Sequence, residues 1–189
     1  MEKIFEWDRE LYLFLNNLGN PTWDVFWMLI TYKWSWIPFY AFLLYLIFKK
    51  FGAKGTLITA VVIALLITAS DQLANVFKHG FERPRPCRQE GVMEYARFIA
   101  ERCGRFGYFS AHAASSTGLA VFVGLLLKMP YPKMPYLMLI WAAIVSYSRI
   151  YVGVHYPLDV VTGMLIGALL GYLFYKLQLF LIQKFNVNF

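Results

Sequence analysis

Long stretches of this chain carry no aspartate, glutamate, lysine or arginine, among them Thr56–Ser70, Ala111–Leu127, Met134–Ser148 and Val160–Tyr175. Runs of this length approach the roughly 20 helical residues that cross a bilayer. The composition agrees: 59% of the 189 residues are hydrophobic and only 15% are charged, whereas a soluble domain of this size needs more polar surface to cover itself. The expectation is an all-α, multi-pass transmembrane helical bundle that forms one membrane-embedded domain over residues 1–189.

Six helical segments are predicted: Pro21–Tyr32, Trp34–Phe48, Gly55–Lys78, Ser110–Lys128, Pro135–Ser148 and Pro157–Phe180. Pro21, Thr22 and Asp24 are start signals for the first, which is short for a full span. Before it, residues 1–20 mix Glu2, Lys3, Glu6, Asp8, Arg9 and Glu10 with Ile4, Phe5, Leu11, Leu13 and Leu15. That pattern reads as an amphipathic helix lying at the interface rather than as a cleavable signal core.

Lys49, Lys50, Lys54, Lys128, Lys133, Lys176 and Lys184 fall in short connections or at helix ends with no acidic residue among them. Alternating spans put all seven on one side, which the positive-inside tendency makes cytoplasmic. The long connection, residues 79–109, and the short one from Arg149 to Tyr156 then lie on the opposite, periplasmic face of the cell (inner) membrane. The net charge of +7 fits this topology and a phosphate ligand. Without a lysine-rich tail or a nucleic-acid motif, no nucleic-acid partner is expected.

Three polar stretches gather at that face: Lys78–Pro86, Phe109–His112 and Ser148–Asp159. Lys78, Arg85 and Arg149 offer three cations, and arginine presents a planar fork suited to phosphate oxygens. Ser110 and the backbone N–H groups from Ala111 onward open a helix, where free N–H groups favour anions. His112 and His155 can act as acid and nucleophile near neutral pH. Asp159 follows His155 by four residues, so on one helix face its carboxylate can accept a proton from one ring nitrogen and leave the other free to attack.

These stretches resemble the three motifs of the type 2 phosphatidic acid phosphatase superfamily, which also contains the vanadium haloperoxidases. Lys78 with Arg85-Pro86 matches the first motif, and Ser148-Arg149, His155 and Asp159 match the third. The second, usually Pro-Ser-Gly-His, stands here as Phe109-Ser110-Ala111-His112. The resemblance implies a lipid phosphatase without metal or other cofactor. His155 would attack phosphorus, Asp159 would orient it, and His112 would protonate the leaving group. Lys78, Arg85, Ser110, the N–H of Ala111 and Arg149 would hold the phosphate. Membrane spans argue against a haloperoxidase. The expected partners are the bilayer and a phosphorylated lipid: undecaprenyl diphosphate, phosphatidylglycerol phosphate, phosphatidate or a lipid A phosphate. A phosphotransferase using the same intermediate, or a non-catalytic phospholipid-binding or transport protein, are the alternatives, and the motifs do not indicate an oligomeric state.

Ala111 where the family has glycine is tolerable if only its N–H is used and straining if a positive φ is needed. Asp71 and Asn75 share a helix face with Lys78, either to position it or to bond between helices. Cys87 and Cys103 fit no zinc motif; facing an oxidising compartment, they either pair and pin the long loop or stay unlinked. His79 reads as a solvated loop residue, and Arg83 and Arg88 as solvated or as lipid-headgroup contacts. Gly163, Gly167 and Gly171 suggest close helix packing, and Trp23, Trp27, Trp34 and Trp36 suggest interface anchors around the lipid entrance.

Overall fold

A computed structural model describes residues 2–186. Six α-helices account for most of them: α1 (Glu2–Asn17), α2 (Pro21–Thr31), α3 (Ile37–Phe81), α4 (Ala111–Leu127), α5 (Met134–Tyr151) and α6 (Pro157–Lys184). No strand occurs among the described residues, only one isolated bridge between Pro84 and Phe106. Helices satisfy their own backbone hydrogen bonds, which a chain in hydrocarbon must do. α3 and α6 are long and apolar enough to cross a membrane.

The expected segments 34–48 and 55–78 join in α3, which breaks at Gly52. Its backbone there is left-handed, with φ 63° and ψ −171°, a conformation that glycine adopts without a Cβ penalty. The break turns the chain back on itself. Lys50, just before it, donates to the Leu126 carbonyl, and Lys54, just after it, donates to that of Phe185. The break and the C-terminal ends of α4 and α6 thus share one end of the bundle. α3 also runs past Lys78 to Phe81, so His79 lies in its last turn, exposed, rather than in the loop.

α2 has 11 residues, about 16 Å of helix, too short for a hydrocarbon core of about 30 Å. Its Asn20 N-cap and Asp24 meet the hydroxyl of Tyr151 at the C-terminal end of α5. Trp36, after α2, packs edge-on against Trp141 in the middle of α5.

α4 sits at the centre and is buried around most of its circumference. Its closest neighbour is α6. A Cβ on Gly163, Gly167 or Gly171 would come within 2.5 Å of the backbone oxygen of Ser110, Ala114 or Gly118, respectively. The glycine stripe is therefore a helix contact within the chain, where small residues let backbones approach. Leu57, Val61, Leu65, Leu137, Ile140, Leu165 and Leu169 point outward and are exposed, an apolar exterior suited to lipid tails.

α1 is amphipathic with two working faces. Ile4, Trp7, Leu11, Phe14 and Leu18 form an exposed apolar stripe, while Asp8, Tyr12 and Asn16 are buried against the protein. The helix is thus fastened to the bundle through a polar face, in addition to its apolar interfacial one.

Candidate active site

The long loop is tied down before it reaches the site. Cys87 and Cys103 are disulfide-bonded, with Cα atoms 6.4 Å apart. Arg97 forms a two-oxygen contact with Asp24 at 2.8 and 2.9 Å. Buried Asn16 accepts from the Arg97 N–H and donates to the carbonyls of Arg97, Ile150 and Tyr151. These anchors hold the loop over the ends of α3, α5 and α6.

Within this frame α6 begins at Pro157, which suits the first turn because it has no N–H to satisfy. Asp159, in that first turn, is fully buried. Its Oδ2 accepts from the Tyr156 N–H at 3.1 Å and lies 3.4 Å from His155 Nδ1. Its Oδ1 accepts from Arg83 at 2.7 Å. With the Nδ1 proton directed at Asp159, the other ring nitrogen of His155 keeps a free lone pair. Burial lowers the His155 pKa well below the ordinary histidine value, and Arg85, Arg149 and Lys78 lower it further, while the Gly107 carbonyl acts the other way. The ring is thereby kept neutral.

The same three cations and His155 act electrostatically on His112, so the three motifs converge. His112 occupies the first turn of α4 and is open to a cavity. Ser110 is the N-cap of α4; its Oγ accepts from the Ala113 N–H at 3.4 Å, and its own N–H donates to the Asp159 carbonyl at 2.9 Å. Ala111 is the first helical residue and is not among the residues with positive φ, so the missing glycine causes no backbone strain. Arg85 is aimed by its Nε, which donates to the Phe106 carbonyl at 3.0 Å. Arg149 donates from Nη1 to the hydroxyl of Thr31, while its buried Nε has no acceptor. An unpaired, buried N–H on a cation beside two other cations calls for an anion.

The cavity, about 640 Å³, is lined by His112, Ser115, Thr31, Trp34 and Trp36 near the site and by Leu43, Ile47, Leu119, Val123 and Trp141 deeper in. Asp71 also lines it and lies within electrostatic reach of Lys78; the Asn75 side chain is exposed and makes no hydrogen bond among the described residues. Trp34 is exposed beside the opening, whereas Trp27 is packed on Tyr147 and Tyr151. Arg83 departs from both readings of it as a solvated or headgroup-contacting residue: its side chain is 13% exposed and bridges Asp8 and Asp159. Arg88 stays exposed. Among the described residues no group of three or more His, Cys, Asp or Glu side chains is arranged to hold a metal ion.

A helical bundle with an apolar exterior, three cations acting on two histidines and an apolar cavity lined by one of those histidines defines a class: the membrane lipid phosphatases. The chain belongs to the PAP2 superfamily, which it matches over residues 53–182. It is 39% identical to a lipid A 4'-phosphatase of Bacteroides thetaiotaomicron over 93% of this chain and 78% of that protein. A lipid A 4'-phosphatase of Porphyromonas gingivalis is 33% identical over 95% of this chain and 76% of its own length. In fold it is similar to the transmembrane PAP2 type phosphatidylglycerolphosphate phosphatase of Bacillus subtilis, with a TM-score of 0.73, 20% identity and coverage of 94% of this chain and 87% of that one.

Proposed function

We propose that this protein removes the 4'-phosphate of lipid A by way of a phosphohistidine. The observation that carries the reading is that Lys78, Arg85 and Arg149 act together on His112 and His155, and that His112 lines the apolar cavity. The cations and the first N–H groups of α4 would bind the three phosphate oxygens, and an acyl chain would enter the cavity. The similarity to two lipid A 4'-phosphatases along nearly the whole chain favours lipid A over the other lipid phosphates.

The lone pair of the free His155 nitrogen attacks phosphorus in line, and the bond from phosphorus to the sugar oxygen breaks. His112, protonated once the negative charge of the bound phosphate offsets the surrounding cations, gives its proton to that leaving oxygen. Water then attacks the phosphohistidine, His112 takes a proton from it, and inorganic phosphate leaves as His155 regains its lone pair. Asp159 holds the ring in place throughout and stabilises the positive charge on it. Arg85 and Arg149 stabilise the negative charge spread over the equatorial oxygens.

The reaction face is the non-cytoplasmic side of the cell membrane, and residues 1–189 act as one membrane-embedded unit with 1–20 at the interface. The disulfide in the loop over the site supports this orientation, because such bonds persist in oxidising compartments. Lys50 and Lys54 at the opposite end of the bundle support it as well.

The test is phosphate release by purified protein in detergent with EDTA, from lipid A, undecaprenyl diphosphate, phosphatidylglycerol phosphate and phosphatidate, beside His155→Ala. Release that survives EDTA, is fastest from lipid A and vanishes in the variant is expected. Faster release from another lipid would reassign the substrate. Release unchanged in His155→Ala would overturn the histidine mechanism.

A further inference from the structure

The chemistry proposed for His155 needs a fixed Asp159 carboxylate, and that carboxylate has a partner, Arg83, at a position that the first motif leaves unspecified. Arg83 Nη1 donates to Asp159 Oδ1 at 2.7 Å, and Arg83 Nη2 donates to Asp8 Oδ2 at 2.5 Å. The other oxygen of Asp8 accepts from the backbone N–H of Leu158 at 2.8 Å. Asp8 thus grips both the arginine and the chain one residue before Asp159. Neither carboxylate is open: the side chains are 6% exposed for Asp8 and 0% for Asp159. The guanidinium is also clamped between two rings, with its carbon 5.0 Å from the Phe5 centroid and 4.2 Å from that of Tyr156.

We propose that Asp8 and Arg83 are positioning residues for catalysis: Asp8, from the interfacial helix, holds the Arg83 fork so that Asp159 presents Oδ2 to His155. The inference rests on the phosphohistidine reading above. A guanidinium with two parallel N–H groups prefers to engage one carboxylate with both. Splitting the fork between Asp8 and Asp159 prevents that. When Asp8 is gone, Nη2 has no carboxylate partner of its own, and the fork turns to take both oxygens of Asp159. Oδ2, now shared with Arg83, leaves His155 Nδ1. The contact is already long at 3.4 Å, so a small rotation ends it. Lys78, Arg85, Arg149 and Ser110 are not part of this bridge, so the effect falls on turnover rather than on phosphate binding. α1 then contributes to the reaction itself, beyond lying on the membrane.

The experiment measures kcat and KM for lipid A, the rate of phosphoenzyme formation and the melting temperature in detergent. The proteins are wild type, Asp8→Ala, Asp8→Asn, Arg83→Gln and His155→Ala. Asp8→Asn retains the shape and an acceptor for Leu158, so it remains informative should Asp8→Ala fail to fold. The Asp8 and Arg83 variants are expected to lower kcat and phosphoenzyme formation about 10- to 100-fold, by analogy with the loss of an outer partner that orients a metal-binding histidine, with KM within twofold. A fall in melting temperature with kcat within twofold of wild type would overturn the proposal and leave a structural tether. So would a raised KM at unchanged kcat. Activity persisting in His155→Ala would instead sink the underlying mechanism, a separate outcome read from a separate variant.

Discussion

Asn16 and Arg97 hold each other through the backbone in both directions: the Asn16 side-chain oxygen accepts from the Arg97 N–H at 2.7 Å, and its nitrogen donates to the Arg97 carbonyl at 3.1 Å. The same nitrogen reaches the carbonyls of Ile150 and Tyr151, both at 3.0 Å. One fully buried amide therefore joins α1, the long loop and the end of α5. Asn16→Ala leaves the Arg97 N–H and the Arg97 and Tyr151 carbonyls without these partners, while the Ile150 carbonyl keeps the Gly153 N–H; each stranded group costs up to about 1–3 kcal/mol, less where water enters the space left by the amide. The expected result is a loss of about 2–4 kcal/mol, read as a lower melting temperature and as faster proteolysis within residues 89–104. Unchanged protease sensitivity would contradict this role.

Gly107 lies where no side chain fits. A Cβ there would stand 3.0 Å from Asp159 Oδ2 and 3.1 Å from Arg85 Cγ. Gly107→Ala should displace together the carboxylate proposed to orient His155 and the cation proposed to bind phosphate. We expect kcat/KM to fall at least about tenfold, which corresponds to about 1.4 kcal/mol of transition-state stabilisation. The melting temperature should change less than in Asn16→Ala. Activity within twofold of wild type would show that the site relaxes around the methyl group.

The depressed pKa of His155 has a definite sign in stability. Burial and the nearby cations keep the ring neutral in the folded protein well below the ordinary value, whereas in the unfolded chain it binds a proton below about pH 6.5. Between the folded pKa and 6.5 the unfolded state holds more protons, so stability rises with pH across that window. The contribution is complete above pH 6.5 and is lost as pH falls toward the folded value. Melting temperature measured from pH 7.5 down to 5 should therefore drop further in wild type than in His155→Gln. Parallel curves would mean that His155 titrates normally.

The site was legible in the sequence where its parts are close in the chain. Lys78 with Arg85, Ser148-Arg149 with His155 and Asp159, and Ser110 with His112 each lie at a helix end or across one short connection, so spacing alone brought them into view. Arg83 was not legible in its role, because its partners Asp8 and Asp159 are 75 and 76 residues away. The uncharged runs marked most of the helices, since bilayer thickness dictates their length. They separated the two halves of α3 but did not place the break at Gly52, which depends on one backbone torsion. In α1 the apolar stripe was visible, yet Asp8, Tyr12 and Asn16 at spacings of four also form a face. That polar face was the available signal that the helix docks on the protein and that Asn16 matters, whereas Thr31 escaped notice because its partner Arg149 is 118 residues away.

The disulfide closes a loop of sequence separation 16, and a cross-link of that span stabilises by about 3 kcal/mol in the chain-entropy view. Its effect should be uneven along the loop. The middle stays fastened without it, through Arg97 on Asp24 and through the N–H groups of Ile99 and Ala100 on the Val152 carbonyl. The flank that carries Arg85 depends more on the bond, because Arg85 is otherwise aimed by the backbone carbonyls of Arg105 and Phe106 just beyond Cys103. Cys87→Ser with Cys103→Ser should therefore raise KM for lipid A and weaken inhibition by inorganic phosphate several-fold, with a smaller change in kcat. Dithiothreitol should reproduce that shift in wild type and leave the double variant unaffected. An equal loss of kcat would mean that the bond supports His155 and Asp159 as well as the cation, and an unchanged KM would show that the carbonyls alone suffice to aim Arg85.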